Sequence, residues 1–104
     1  MQRYSIVIPS KKKNSAPVSK PDRRKAMSKV VDLLTETYGG VTCIDGEGTY
    51  RTDKGHLITE KITEVITWTD ADARGQLILL ANHLKETLDQ ESILITCNHK
   101  GELR

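Results

Sequence analysis

The chain has no phenylalanine, one tryptophan (Trp68) and three tyrosines in 104 residues. With so few aromatics, core volume must come from Ile, Leu and Val. A single layer of helices over one sheet is about what such a core supports. Cysteine is as scarce: Cys43 and Cys97 stand far apart, with no CxxC. His56, His83 and His99 share no ligand spacing with either thiol, so the reading is two buried, reduced, structural cysteines, no metal site and no cofactor. No apolar run approaches a membrane span, which argues against a membrane partner. Met1 to Ile8 has no apolar stretch followed by a small-residue cleavage site, so a cytoplasmic protein is expected. No paired Ser, Cys or Asp accompanies a histidine in a nucleophile motif.

What the chain does have is separated charge. The first 29 residues carry nine Lys/Arg and one acid, Asp22, and the remaining 75 carry seven Lys/Arg and thirteen Asp/Glu. A net charge of +2 thus hides a leading third of +8 and a remainder of −6. The basic third points to an anionic partner, or to the acidic part of a second copy of the chain.

The residue pattern predicts one domain over 1–104. Tyr4 to Ile8 alternates and stops at Pro9, a short strand. Residues 9–20 hold three consecutive lysines and no periodicity, a flexible basic loop. Ser19-Lys20-Pro21-Asp22 caps and opens a helix whose apolar stripe is Met27, Val30, Val31, Leu34 and Tyr38, closed by Gly39-Gly40. Val41 to Ile44 and Thr49 to Thr52 read as one strand, with a bulge at the two glycines of Asp45-Gly46-Glu47-Gly48. Asp53-Lys54-Gly55 turns the chain into a long strand from Leu57 to Trp68. Thr69-Asp70-Ala71-Asp72 repeats the capping pattern before a second helix with the stripe Leu77, Leu80, Ala81, Leu84 and Leu88. Ser92 to Cys97 is the last strand, and 98–104 is a polar tail expected to fray. This βαββαβ order is an α+β, ferredoxin-like split βαβ: a four-stranded antiparallel sheet with both helices on one face and the second and fourth strands outermost. The other face, with Ile62, Ile66 and Trp68, has no helix to cover it, so a homodimer or larger assembly is expected.

The stretch from Tyr38-Gly39-Gly40-Val41-Thr42 to Gly46-Glu47-Gly48-Thr49-Tyr50, followed by Gly55-His56-Leu57-Ile58 and Glu91-Ser92-Ile93-Leu94, resembles a family of small bacterial and phage proteins of unknown function. The resemblance runs from about the first helix onward. It implies the fold and assigns no activity or catalytic residue. The lysine-rich loop departs from the pattern.

Lys11, Lys12, Lys13, Lys20, Arg23 and Arg24 form the main candidate site, with Lys25 beside them. Arginines in a first helical turn sit at the wrong end of the dipole for their own helix, which is where an anion binds. Exposed Arg23 and Arg24 would grip a phosphate while the lysines add charge; the alternative is a solvated loop. Gly46-Glu47-Gly48 is too short a fragment for a dinucleotide fingerprint. Tyr50 and Trp68 could stack on a base, though interface or core packing explains them as well. Glu60 and Glu64 share a strand face and could do acid–base work; solvated edge charges are the ordinary alternative. The expectation is a non-enzymatic homo-oligomer binding a phosphate-bearing small ligand of nucleotide type. Family company and size, rather than residues, add the idea of a phage protein in the host cytoplasm that sequesters a cyclic or ADP-ribose-type defence signal. The alternatives are a nucleic-acid- or protein-binding module using the basic third, and a small acid–base enzyme using Glu60, Glu64 or a histidine.

Overall fold

The computed structural model describes residues 1–98 and 100–104. Its elements run β1 (Gln2–Ile8), α1 (Lys20–Tyr38), β2 (Thr42–Arg51), β3 (Leu57–Thr69), α2 (Arg74–Thr87), β4 (Leu94–Cys97) and β5 (Lys100–Leu103). The fold is α+β, with two helices and one five-stranded sheet in the order β2-β3-β1-β4-β5, every neighbouring pair antiparallel.

Alternation along β1 decides the layering. Tyr4, Ile6 and Ile8 point to one face and pair with Thr67, Val65 and Thr63 of β3. That face packs with Val30 and Leu34 of α1, with Leu77 and Leu84 of α2, and with Ile95 of β4 in one buried cluster. Both helices therefore lie on the same side. Each large aliphatic side chain so buried contributes about 1.5–3 kcal/mol, and truncating Ile6 or Leu84 to Ala should cost about 2–5 kcal/mol. Helix α1 begins and ends as its sequence demands. The Ser19 hydroxyl accepts from the Asp22 amide at 3.2 Å, and Gly39 takes φ +98°, donating its amide to the Thr35 carbonyl at 2.8 Å.

Four expectations need correction. The sheet has five strands: residues 100–103 of the supposed fraying tail pair with β4, so β4 is interior and β5 is an outer strand. Arg74 fixes this strand with two guanidinium bonds of 2.8 Å to Glu102. Strand β2 has no bulge. It pairs residue for residue with β3 from Thr42 to Arg51, and Gly46 and Gly48 face the Ile62 side chain. Helix α2 starts at Arg74 with Ala73 at the cap position and no side-chain bond from it; Thr69 accepts from the Ala71 amide in the preceding turn, and Asp72 accepts from the amide of Arg74 itself. Cys43 is exposed on the outer strand β2 and Cys97 half-buried, both as free thiols, so neither is a buried core cysteine. No helix of the described residues is long and apolar enough to cross a membrane.

Burial raises the Cys97 thiol above its ordinary ionisation range, with Glu102 adding to the effect. Alkylation at mildly alkaline pH, followed by peptide mass mapping, should therefore modify Cys43 first and Cys97 about tenfold more slowly or less. Equal rates would contradict the placement of Cys97.

Candidate functional site

Strand β3 is longer than β1. Ile8, the last residue of β1, pairs with Thr63, so residues 57–62 of β3 have β2 on one side and no partner strand on the other. Pro9 ends the ladder because it has no amide hydrogen to donate. The chain then turns, and the next two amides find a side chain instead of a strand. Ser10 and Lys11 both donate to Glu60 Oε1, at 2.6 and 2.9 Å. The Tyr50 hydroxyl, one strand away on β2, donates to Glu60 Oε2. Glu60 is thereby 3% exposed. A carboxylate that deep is tolerated only when its oxygens are bonded, and each such charge-assisted bond contributes about 1.5–3 kcal/mol.

The turn is clasped from two more directions. From α1, Arg23 Nε donates to the Pro9 carbonyl at 3.1 Å, and Nη2 to the Ile8 carbonyl at 3.3 Å and to Thr63 Oγ1 at 2.9 Å. From the turn after α2, Gln90 Nε2 donates to the Lys11 carbonyl at 2.6 Å and to the Leu88 carbonyl at 2.9 Å. The Lys13 amide reaches the Asp89 carbonyl at 2.9 Å, and its ammonium lies 3.2 Å from the Asp89 carboxylate.

Beside Glu60 opens a cleft of about 490 Å³ between the β2–β3 hairpin and the segment joining α2 to β4. This is within the range of small-molecule sites. The apolar lining includes Val7, Ile58, Ile62, Ile93 and Leu94, and the polar lining includes Tyr50, Glu60 and Gln90. Four acids line it (Glu47, Asp53, Glu60, Glu91) against two cations, Lys13 and Arg51. Burial, then the hydrogen bond to Glu60, then the charges of Glu60 and Glu91 raise the Tyr50 phenol well above the ordinary tyrosine range. Tyr50 is therefore a neutral donor at physiological pH and no base.

The basic residues do not converge. Arg23 is half-buried in its clasp, contrary to the expectation that it is exposed, while Lys20 and Arg24 are exposed on α1. Lys11 and Arg23 line a second, larger and more open groove of about 880 Å³ on the other side of the turn that bonds Glu60, and only Lys13 of the loop lysines lines the 490 Å³ cleft. Lys12 is half-buried, and its amide bonds the Ala16 carbonyl at 2.7 Å. The segment 9–20, expected as a flexible loop, carries further bonds from Ser15 to the Lys12 carbonyl and from Val18 to the Ser10 carbonyl. Tyr50 lies in the cleft, whereas Trp68, half-exposed, pairs with Arg3 of β1 and lines neither hollow.

Glu60 and Glu64 do not act as a pair. Glu64 bonds Arg3 at 3.1 Å and the Ser5 hydroxyl at 2.7 Å, and four residues of strand separate it from Glu60 by about 13 Å. His56 is exposed in the hairpin, His83 is half-buried on α2, and His99 lies outside the described residues. Sequence reasoning named Glu60 only as an acid–base alternative and missed Ser10 and Gln90. The available signal was an acid set among Ile58, Ile62 and Ile66 on one strand face, which marks Glu60 without showing that it is buried.

No family model matches the chain, and no curated protein does. Two solved structures share its fold. A phage SAM lyase in complex with S-methyl-5′-thioadenosine is 18% identical with a TM-score of 0.67, the match covering 99% of this chain and 84% of that one. A phage SAM lyase in the apo state is 15% identical with a TM-score of 0.67, covering 99% and 83%.

The raised Tyr50 ionisation has a thermodynamic consequence of definite sign. A phenol held protonated in the fold stabilises it below the unfolded value near 10.0, and that contribution is lost as pH rises above it. Burial also raises Tyr38, by less; spectrophotometric titration should show the highest tyrosine step from Tyr50, and Tyr50→Phe should remove that step. A Tyr50→Phe curve that keeps this step would reject the Tyr50–Glu60 bond.

Proposed function

We propose that the cleft beside Glu60 binds an adenosyl sulfur nucleoside and that the chain acts on S-adenosylmethionine as a lyase, releasing S-methyl-5′-thioadenosine. The observation that carries the reading is the buried Glu60 carboxylate, bonded by the half-exposed Tyr50 hydroxyl, beside a cleft of nucleoside size. The acidic lining suits a sulfonium and an ammonium group and repels phosphate. Likeness of fold over 99% of the chain to a protein that holds S-methyl-5′-thioadenosine supports the same ligand class. It draws the reading away from a phosphate-bearing ligand on the basic loop.

In the bond-breaking step the sulfonium carbon–sulfur pair leaves on sulfur, giving a neutral thioether. Glu60 has both oxygens bonded and Tyr50 is a donor, so neither is placed to take a proton. The substrate's own carboxylate attacks the carbon of that bond in the same step, so a four-carbon lactone forms as the carbon–sulfur bond breaks, and no water or cofactor is consumed. The role of Glu60 is to hold the cationic part of the substrate by its charge. Incubation with S-adenosylmethionine should give one S-methyl-5′-thioadenosine per substrate lost, and Glu60→Gln should lower turnover by about 10²-fold or more. Stoichiometric capture without product would make the chain a sequestering protein and reject the lyase step. No binding of either compound would reject the nucleoside site.

We further read the architecture as a ferredoxin-like split βαβ extended by one strand, in a phage-type protein that self-associates. The motive for association is the sheet face away from the helices, where Ile44, Trp68, Leu94 and Leu103 are exposed. Sedimentation at micromolar concentration should give a mass above that of the 11.7 kDa chain. A monomer would reject it.

A further inference from the structure

We propose that Arg23 is a positioning residue for Glu60, acting through the backbone of residues 8–11 rather than through its charge on a ligand. Four successive residues present polar backbone groups that side chains of distant elements take up. The Ile8 and Pro9 carbonyls bond Arg23 of α1, the Ser10 and Lys11 amides bond Glu60 of β3, and the Lys11 carbonyl bonds Gln90 beyond α2. The first two sites set the direction in which the chain leaves the sheet, and that direction aims the next two amides at a single oxygen of Glu60. Arg23 also bonds Thr63 Oγ1, which in turn donates to Asp45 at 2.8 Å. The guanidinium is thus anchored to the strand that carries Glu60 as well as to the turn that holds it. The guanidinium reaches its three acceptors from two nitrogens held in one plane, Nε and Nη2; a lysine ammonium has the charge and three donors but on a single atom, without the fork. This placement also explains why an arginine is kept at the positive end of the α1 dipole, where its charge is locally unfavourable.

Part of the test does not rest on the nucleoside reading. In Arg23→Gln, hydrogen exchange at the Ser10 and Lys11 amides should lose its protection. The high Tyr50 ionisation step should fall towards 10.0, because Glu60 no longer stands against the phenol. Arg23→Lys should behave as Arg23→Gln does, and Thr63→Val should move both signals in the same direction by less. Arg24→Gln, altering an exposed neighbour of equal charge, should move neither. The remaining part rests on the nucleoside reading: affinity for S-methyl-5′-thioadenosine should fall by about tenfold in Arg23→Gln and by little when the same change is made in Glu60→Gln, the non-additivity expected of one coupled unit.

Wild-type exchange and Tyr50 titration in Arg23→Gln would overturn the proposal. So would equal loss of inorganic phosphate binding in Arg23→Gln and Arg24→Gln with Tyr50 unmoved, the result a ligand-gripping arginine gives. Should Arg23→Gln fail to fold, Thr63→Val decides by the same two signals. Should wild type fail to bind the nucleoside, the functional reading falls while exchange and titration still decide the role of Arg23.

Discussion

The carboxylate of Glu60 is removed from water and holds three donors, the amides of Ser10 and Lys11 and the hydroxyl of Tyr50. Much of the local architecture follows from the need to satisfy it. An unpaired buried carboxylate costs several kcal/mol; the turn after Pro9 supplies two amides, and β2 runs on past Gly48, the register partner of Glu60, to bring the Tyr50 hydroxyl to it diagonally. The cleft is the space left where β3 outruns β1 and the turn folds back along it. One interaction thus joins the first loop, the long hairpin and the segment after α2 into a single site.

The basic third takes on a different meaning in this frame. Its charge is spread over an exposed helix turn, a loop closed by its own backbone bonds, and a clasp on carbonyl groups. Arg23 in that clasp serves geometry, and Lys13 serves a tie to Asp89. Four of the fourteen acids line the cleft instead. The sign of the field that a ligand meets is therefore set by the fold and is opposite to that of the leading third.

Periodicity made most of the fold legible. The alternation of Tyr4 to Ile8, the stripe Met27 to Tyr38 and the capping residues Ser19 and Gly39 each specify local structure strongly enough to be read without contacts. Strand β5 was not legible, because Lys100 to Leu103 pairs through its backbone and through Glu102 with Arg74, and neither leaves an apolar pattern. The unbroken β2 was misread for a related reason: Gly46 and Gly48 have Ile62 for a neighbour, information held by the other strand. Of the site, Tyr50 was singled out for its aromatic face, while its hydroxyl proves to be the group in use. The burial of Glu60 depends on amides some 50 residues away, and no local pattern encodes it.

The most direct test of the account follows the backbone amide resonances of the isotope-labelled protein as S-methyl-5′-thioadenosine is added. The account predicts saturable shifts centred on Ser10, Lys11, Tyr50 and Gln90, the residues around the Glu60 carboxylate. Shifts confined to Lys20, Arg24 and the exposed turn of α1, or none at all, would contradict it.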